Sequence, residues 1–411
     1  MKTLSVVLAC MVFALVSSAS VILVTKQGKL TSINVAIKKA KAGDTIRVES
    51  GTYFEKNILI DKPLSLLGKN YPTLDGEKKF EIVSIKSGNV VIDGFRIIHS
   101  GYGTLEDPGG IKVYNGSHVV ISNNILDDNF FGIYLQHCSK TKVYNNRIVS
   151  YGIAEQEIGN GIHCWKSTQL EIYGNSIEGH RDGIYFEFVT HSKIQKNISK
   201  KNIRYGLHFM FSNDDSYIGN TFKKNGAGVA VMFTNRVKMI DNHFEENWGD
   251  AAYGLLLKEI SDSYISGNSF IRNTTGIYLE GANRIIIEKN KFQFNGWGMK
   301  IQASCIDNTI RSNNFIGNTF DVTTNGSLVL NTFDENFWDR YEGYDLNKDG
   351  IGDVPYHPLS LFSVIVEQNP PAMILFRSFM VSLLDKSEKM IPSLTPDNFI
   401  DNKPRMKHLT L

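Results

Sequence analysis

Two methionines and two histidines recur at spacings that place them on one face of stacked strands. His208 and Met210 are two residues apart, and Met232 follows Met210 after 22 residues. His163 stands at the position of His208 two units earlier. Thioether and imidazole groups together suit Cu(I), which prefers soft ligands. These four residues are a candidate Cu(I) site, although an outward methionine row can also simply pack beneath a loop.

A second set of possible metal ligands lies near the C-terminus. Asp345, Asn347, Asp349 and Asp353 place oxygen side chains at alternating positions around Gly350. This spacing matches the first half of a calcium-binding loop. The closing glutamate expected at the twelfth position is replaced by a tyrosine. The segment is therefore either a calcium site or a plain Asp/Asn/Gly turn.

The sequence shows no catalytic arrangement. A polysaccharide lyase or hydrolase needs acids and bases clustered on one outer face. No pair of carboxylates repeats at the outward positions of adjacent units, and Asp182 and Asp250 lie in turns without an evident acid partner. The outward columns therefore predict no catalytic site, although loops could still build one. The net charge of +2 gives no global field that would favour nucleic acid.

A repeat of about 22 residues organises the elements that carry these side chains. An asparagine stands fourteen residues after the opening glycine in eight of nine units. Only the last unit departs from this spacing, with Asn314 arriving late. The opening glycines are Gly110, Gly132, Gly161, Gly183, Gly206, Gly228, Gly254, Gly276 and Gly298.

The period predicts the fold. Twenty-two residues make one coil of three short strands, and coils stack at about 4.8 Å through backbone hydrogen bonds. We expect asparagine in the recurring turn because it tolerates positive φ and its amide can bond the next coil, with glycine at the other corner. Short β-branched runs exclude helical repeats. The predicted fold is all-β: a right-handed parallel β-helix, a pectin-lyase-like solenoid with nine clear coils and three weaker ones.

The first 19 residues have the pattern of an export signal. Lys2 supplies the positive start, residues 4–16 the apolar run, and small residues up to Ala19 the cleavage site. We expect residues 1–19 to be removed and the mature protein to be periplasmic or extracellular. Export favours disulfides, yet the three remaining cysteines are out of register with one another. We predict free thiols in the core or in turns at Cys138, Cys164 and Cys305.

The chain divides into two parts after the signal. Residues 20–335 form the β-helix, and an amphipathic helix from Ser32 to Lys39 covers its open N-terminal end. Residues 336–411 carry the Asp-rich loop and a C-terminal helical docking segment. We expect one apolar helix over Ala372 to Met390, which is too short to span a bilayer. It either covers the open end of the solenoid or docks on a membrane protein or a lipid surface, and the polar tail after it is expected to be loose.

The sequence resembles the NosD family from the signal to the C-terminus. The most specific part is the segment from Asn336 to Pro404, which begins NFWDRYEGYDLNKDGIGDVPYHPLSLF. The opening NVAIKKAKAGDTI and the GIYL units fit as well, although β-helices that act on carbohydrates share them. The long C-terminal segment is what separates the NosD family from those proteins.

The resemblance implies a non-catalytic role in the maturation of nitrous oxide reductase, an enzyme of denitrification. It implies an ABC-type ATPase and a membrane permease as partners, with the C-terminal helices docked on the permease at the inner membrane. It also implies a lipoprotein copper chaperone that supplies Cu(I). The alternative is a secreted carbohydrate-binding or carbohydrate-modifying β-helix of lyase or epimerase type. A third reading is a docking platform that binds no metal.

Overall fold

The computed structural model describes residues 20–103, 107–249, 252–326, 330–390 and 399–410. The predicted signal peptide, residues 1–19, lies outside these ranges. Three parallel sheets run along the described chain, and each coil contributes one strand to each sheet. They have 14, 12 and 13 strands and are named here by those numbers. The predicted parallel β-helix is confirmed.

The strand bounds follow the sheets. The 14-stranded sheet contains Val21–Val24, Thr45–Val48, Leu64–Gly68, Val90–Asp93, Val120–Ser122, Lys142–Tyr144, Glu171–Tyr173, Lys193–Gln195, Ser216–Ile218, Lys238–Ile240, Tyr264–Ser266, Ile286–Glu288, Ile306–Arg311 and Leu330–Asp334. The 12-stranded sheet contains Ile58–Ile60, Val83–Ile85, Gly109–Tyr114, Phe131–Gln136, Ile162–Trp165, Ile184–Glu187, Tyr205–Met210, Ala227–Asn235, Tyr253–Ser261, Thr275–Glu280, Trp297–Ile301 and Phe320–Thr324. The 13-stranded sheet contains Thr52–Tyr53, Thr73–Asp75, Arg96–Ile98, Ile125–Asp127, Arg147–Val149, Ser176–Glu178, Ile198–Lys200, Thr221–Lys223, His243–Glu245, Ser269–Ile271, Lys291–Gln293, Asn314–Ile316 and Phe337–Trp338.

Alternation along each strand fills the inside of the solenoid. In the GIYL unit, Ile133 and Leu135 are fully buried, whereas Tyr134 between them lies on the outer face. The predicted inward column of the 14-stranded sheet is also fully buried. Its members include Val143, Ile172, Ile194, Met239, Ile265 and Ile287.

Buried asparagines form a continuous ladder, but their backbone differs from the prediction. Positive φ belongs to the residue before each ladder member, as at Asn145 with φ 55°. The ladder asparagine itself points inward, where its amide bonds the next coil: Asn220 donates to Asn242 at 3.0 Å. In the last regular unit the ladder residue is Asn313 rather than Asn314, because one residue is inserted there.

A second asparagine ladder was missed by the sequence reasoning. Each of its first five members stands nineteen residues after an opening glycine, and the sixth stands twenty residues after one. This spacing in the sequence could have revealed the second ladder. The amide of each member bonds the next coil in the same way, for instance from Asn202 to Asn225 at 2.8 Å. The members are Asn202, Asn225, Asn247, Asn273, Asn295 and Asn318.

Seven of the nine opening glycines lie inside strands, the other two directly precede one, and none has positive φ, so the predicted reason for them is wrong. Gly206 belongs to the strand Tyr205–Met210 and does not have positive φ. A Cβ added there would lie 2.7 Å from the carbonyl oxygen of Gly228 in the next coil. Close approach between neighbouring strands therefore selects glycine at this position.

The N-terminal cap forms as predicted. Helix α1 spans Ile33–Lys39, and the Ser32 hydroxyl accepts a hydrogen bond from the backbone N–H of Val35 at 3.2 Å. Ile33, Ala36 and Ile37 are buried against the first strands. This helix covers apolar side chains that no preceding coil covers among the described residues.

The C-terminal tail closes the other end of the solenoid, contrary to the expectation that it is loose. Asp401 is fully buried and continues the first asparagine ladder. Its Oδ2 accepts hydrogen bonds from the backbone N–H and Nδ2 of Asn336, at 2.9 and 3.1 Å, and from Nε1 of Trp338 at 3.0 Å. Phe399 and Leu359 are buried in the main core beside this contact. A carboxylate thus ends the row of amides because it accepts bonds and needs no further acceptor.

The C-terminal helical segment is broken and begins earlier than predicted. Helix α2 spans Leu361–Gln368, a 3₁₀ helix spans Pro370–Leu375, and helix α3 spans Phe379–Met390. The break falls at Arg377, whose φ is 65°. None of the described helices has the length and apolarity needed to cross a membrane.

Helices α2 and α3 pack against the last strand of the 12-stranded sheet, and Val364 of α2 also contacts the main core. Phe362 and Val366 of α2 and Val381 of α3 form a small apolar cluster with Phe320 on the last strand of the 12-stranded sheet. An ion pair of 2.9 Å between Lys300 and Glu367 fixes α2 to the preceding coil. The outer side of the segment stays exposed at large apolar residues. These are Ile374, Leu375, Phe379, Met380, Leu383 and Met390.

Candidate metal centre

The predicted Cu(I) residues lie on the outer face of the 12-stranded sheet. His208 and Met210 belong to the strand Tyr205–Met210, and Met232 is the register partner of Met210 on the next strand, Ala227–Asn235. Alternation turns both residues of the first strand outward, and neighbouring strands are about 4.8 Å apart. The structure therefore brings His208, Met210 and Met232 onto one patch of two adjacent strands.

The two methionines are partly exposed on this outer face. The hydroxyl of Tyr185, from the preceding coil, lies 3.6 Å from Sδ of Met210. This contact orients the thioether toward the tyrosine. Burial raises the pKa of Tyr185 to about 12, so the hydroxyl keeps its proton at neutral pH and donates a hydrogen bond to the sulfur.

His208 is buried and presents one unused nitrogen. Its side chain is only 6% exposed. Nδ1 lies 3.2 Å from Nη2 of Arg204 and 3.7 Å from Oδ2 of Asp182. Nε2 is buried without a hydrogen-bond partner among the described residues. A buried polar atom without a partner is costly, which makes this nitrogen the natural point for a ligand.

Asp182 and Arg204 support the histidine, and the sequence reasoning did not assign them. Asp182 is fully buried, and its Oδ2 accepts a hydrogen bond from Nη2 of Arg204 at 3.2 Å. Its Oδ1 accepts from the backbone N–H of Tyr205 at 3.3 Å. The repeat could have pointed to Asp182, because this residue directly precedes the opening glycine Gly183. Tyr205 occupies the same position one coil later, directly before Gly206.

His163 lies apart from the other three residues. It is two strands before His208 on the same face, about 10 Å away at the usual strand spacing. The ring of Tyr185 stands between them, with centroids 4.8 Å from His163 and 5.0 Å from His208. Burial, reinforced by the charge of Arg181, lowers the pKa of His163 to about 3 and keeps the ring neutral. His163 cannot share one metal ion with His208 while the tyrosine ring lies between them.

Most ligands of any metal ion bound on this face would have to be sulfur atoms. Across the described ranges, no three His, Cys, Asp or Glu side chains come together as metal ligands. The three cysteines of the predicted mature chain are free and buried, and burial raises the pKa of Cys138 to about 12. Thiolate ligation is therefore disfavoured. A patch of two thioethers and one imidazole suits Cu(I) and is unsuited to hard cations.

Side-chain oxygen atoms of the Asp-rich loop accept hydrogen bonds from the backbone of the loop itself. The carboxylate of Asp345 accepts three backbone N–H groups, at 2.6, 3.2 and 2.9 Å. Asn347 donates to Asp349 at 3.1 Å, and Asp353 accepts the backbone N–H of Leu346 at 2.7 Å. The donors to Asp345 are Lys348, Asp349 and Gly350. This is the geometry of an Asx-type turn, and calcium binding stays a prediction.

Comparison with known proteins shows which fold this architecture belongs to. A family model described as "Right handed beta helix region" matches residues 17–158. The Dettilon tailspike protein (gp208) aligns with a TM-score of 0.58 at 14% identity, over 73% of this chain and 65% of its own. That likeness concerns the fold alone. The chain is thus a right-handed parallel β-helix protein.

A family model described as "Periplasmic copper-binding protein (NosD)" matches residues 147–343, which include the methionine pair. A protein of Pseudomonas aeruginosa named "Probable ABC transporter binding protein NosD" is 28% identical over 370 residues, covering 85% of this chain and 86% of its own length. A protein of the same name from Stutzerimonas stutzeri is 26% identical over 381 residues, covering 88% and 86%. The resemblance to NosD is confirmed.

Proposed function

We propose that this protein is a periplasmic accessory subunit of an ABC-type copper-maturation system. In this proposal it receives and passes on Cu(I) for the copper–sulfur centre of nitrous oxide reductase. The description of the matching family as periplasmic and copper-binding supports the proposal, as do the names of the two relatives. The observation that carries it is the pairing of Met210 with Met232 beside the unused Nε2 of His208.

The patch combines a histidine that is held in place with two methionines that are partly exposed to the solvent. His208 is fixed by Arg204 and lies near Asp182, while the two methionine residues are partly exposed. Because a guanidinium only donates, Nδ1 accepts from Arg204 and Nε2 carries the ring proton. Cu(I) held at Nε2 would require that proton to move to Nδ1, which lies 3.7 Å from Oδ2 of Asp182, and the guanidinium of Arg204 to turn away from Nδ1. Such a carboxylate behind a metal-bound histidine fixes the ring and its tautomer.

The partners follow from the same proposal. They are an ABC-type ATPase, a membrane permease, a lipoprotein copper chaperone and nitrous oxide reductase. The permease would hold the protein at the inner membrane through the exposed apolar side of the C-terminal helices. Ile374 and Phe379 are 90% and 79% exposed there, and a large exposed apolar patch marks an interaction site.

A Cu(I) competition titration tests the proposal. The mature protein is titrated anaerobically under reducing conditions against a chromophoric Cu(I) chelator. We expect one equivalent of tightly held Cu(I), with affinity reduced at least tenfold in the double variant Met210→Leu/Met232→Leu. Met239→Leu is the matched control because Met239 is fully buried in the core. Absence of Cu(I) binding, or equal affinity in wild type and double variant, contradicts the proposal.

The carbohydrate alternative gives the opposite result in two assays. A carbohydrate-binding β-helix would be slowed by uronic-acid polymers in affinity electrophoresis. A carbohydrate-modifying one would release unsaturated products from them. We expect neither from this protein. Retention of such a polymer together with absent Cu(I) binding would favour the alternative.

A further inference from the structure

Three consecutive coils carry an exposed phenylalanine at the same turn of positive φ, which follows the strand in two coils and lies within the strand Ala227–Asn235 in the third. Phe188, Phe211 and Phe233 are 44%, 39% and 41% exposed. Their rings stack with centroid distances of 5.2 and 5.1 Å and interplanar angles of 10° and 15°. These three residues are called the phenylalanine ladder below. They form one apolar ridge about two coil spacings long.

The turn does not require an aromatic residue. The ladder residues have φ of 55°, 49° and 54°, in the left-handed region where bulky side chains are uncommon. Other coils use the same turn with the same sign of φ and different side chains. Those residues are Asn115, His137, Lys166, Glu259 and Gly281. Backbone geometry therefore leaves three exposed rings unexplained, and a contiguous exposed apolar ridge indicates a contact surface.

The ladder borders the candidate copper site. Phe211 and Phe233 directly follow Met210 and Met232 in the chain. Along the solenoid axis, the same turn carries Lys166 one coil before the ladder and Glu259 one coil after it. The ridge thus lies beside the two thioethers and has opposite charges at its two ends.

The exposed parts of the rings favour a protein over a sugar chain. The rings stack on one another, so mainly their edges face the solvent, whereas a sugar ring stacks on an aromatic face. A phenylalanine has about 150–250 Å² to bury, so three rings about 40% exposed offer roughly 250 Å². Stable complexes bury about 800 Å² per partner. The ridge by itself therefore suits the core of a brief contact and not a permanent dimer.

We propose that the phenylalanine ladder is the docking surface for a protein that exchanges Cu(I) with Met210 and Met232. This inference rests on the proposed function. Cu(I) passes between proteins by ligand exchange, so the sulfur ligands of donor and acceptor have to come within bonding distance. A partner that carries its Cu(I) at the edge of an apolar surface, between one acidic and one basic group, complements the ridge and its two charged ends.

The test compares two Cu(I) donors by stopped-flow kinetics. One donor is a small chelate, Cu(I)–bicinchoninate, and the other is the Cu(I)-loaded lipoprotein copper chaperone without its lipid. The variant Phe188→Asn/Phe211→Asn/Phe233→Asn uses a residue that the same turn already holds at Asn115. Phe294→Asn is the matched control, since Phe294 is 52% exposed at φ 56° on a different turn.

We expect the triple variant to take Cu(I) from the chelate within twofold of wild type, and from the chaperone at least tenfold more slowly. The Phe294→Asn control should match wild type with both donors. Equal chaperone rates in wild type and triple variant overturn the inference, as does equal slowing with both donors. If wild type takes no Cu(I) from the chelate, the proposed function itself fails, and the docking surface fails with it.

Discussion

Replacing Asn220 by alanine removes one member of the first asparagine ladder. Its Nδ2 donates to the carbonyl of Ile194 at 2.9 Å and to Oδ1 of Asn242 at 3.0 Å. Its Oδ1 accepts from the backbone N–H and Nδ2 of Asn197 at 2.9 and 3.0 Å. All four bonds are buried inside the solenoid.

The loss of stability in Asn220→Ala depends on which of the neighbouring groups keep another hydrogen-bond partner. Asn242 still accepts the backbone N–H of residue 220, and Nδ2 of Asn197 still donates to Ile172. The backbone N–H of Asn197 loses its acceptor. The unsatisfied N–H costs about 1–3 kcal/mol and each of the other three lost bonds about 1 kcal/mol, which gives about 4–6 kcal/mol in total. Since about 1.4 kcal/mol corresponds to tenfold, amides near the site should exchange about 700-fold to 20,000-fold faster.

Hydrogen exchange followed by mass spectrometry measures this effect coil by coil, which suits a solenoid whose coils contact only their neighbours. Ser216→Ala is the control, because Ser216 is partly exposed on the outside of the same coil. We expect faster exchange in the coils on both sides of position 220 and almost no change in the control. Unchanged protection in Asn220→Ala would show that the amide ladder does not hold the coils together.

Three further predictions concern buried polar groups. Burial raises the pKa of Asp215 to about 8, so the folded protein holds a proton that the unfolded chain releases above about pH 4. Stability should therefore fall as pH rises from about 4 to 8, and Asp215→Asn should flatten that dependence in thermal melts. Asp401→Ala leaves the indole N–H of Trp338 without its acceptor. We expect earlier proteolysis of the tail and altered tryptophan fluorescence, with the remaining coils intact. A disulfide-exchange reagent should label no cysteine in the folded mature protein and three after denaturation, because all three thiols are buried: Cys138, Cys164 and Cys305.

The repeat in the sequence was sufficient to predict most of the solenoid. Inward columns such as that of Met239 follow from strand alternation and a fixed period alone. The role of Gly206 was misassigned because it depends on close contact with the next coil and not on local backbone preference. For Asn220 the predicted amide bond to the next coil is confirmed, and only the expected positive φ is wrong, because positive φ falls on Gly219. The closure by Asp401 was missed because it joins residues 65 positions apart, and no period links them.

The candidate site was predicted in part. Register arithmetic found the pairing of Met210 with Met232, since outward columns follow directly from the repeat. The same arithmetic grouped His163 with them, because it identifies the face and does not show that the ring of Tyr185 intervenes. The support of His208 by Asp182 and Arg204 depends on side-chain reach across a turn, which spacing alone does not specify.

X-ray absorption at the copper edge tests the central claim most directly. The mature protein is loaded with one equivalent of Cu(I) under reducing conditions and compared with Met210→Leu/Met232→Leu. The proposed site predicts two sulfur neighbours and one nitrogen neighbour in wild type, with the sulfur signal lost in the double variant. Coordination by nitrogen and oxygen alone, or a sulfur signal unchanged in the double variant, would contradict the assignment of Cu(I) to this methionine pair.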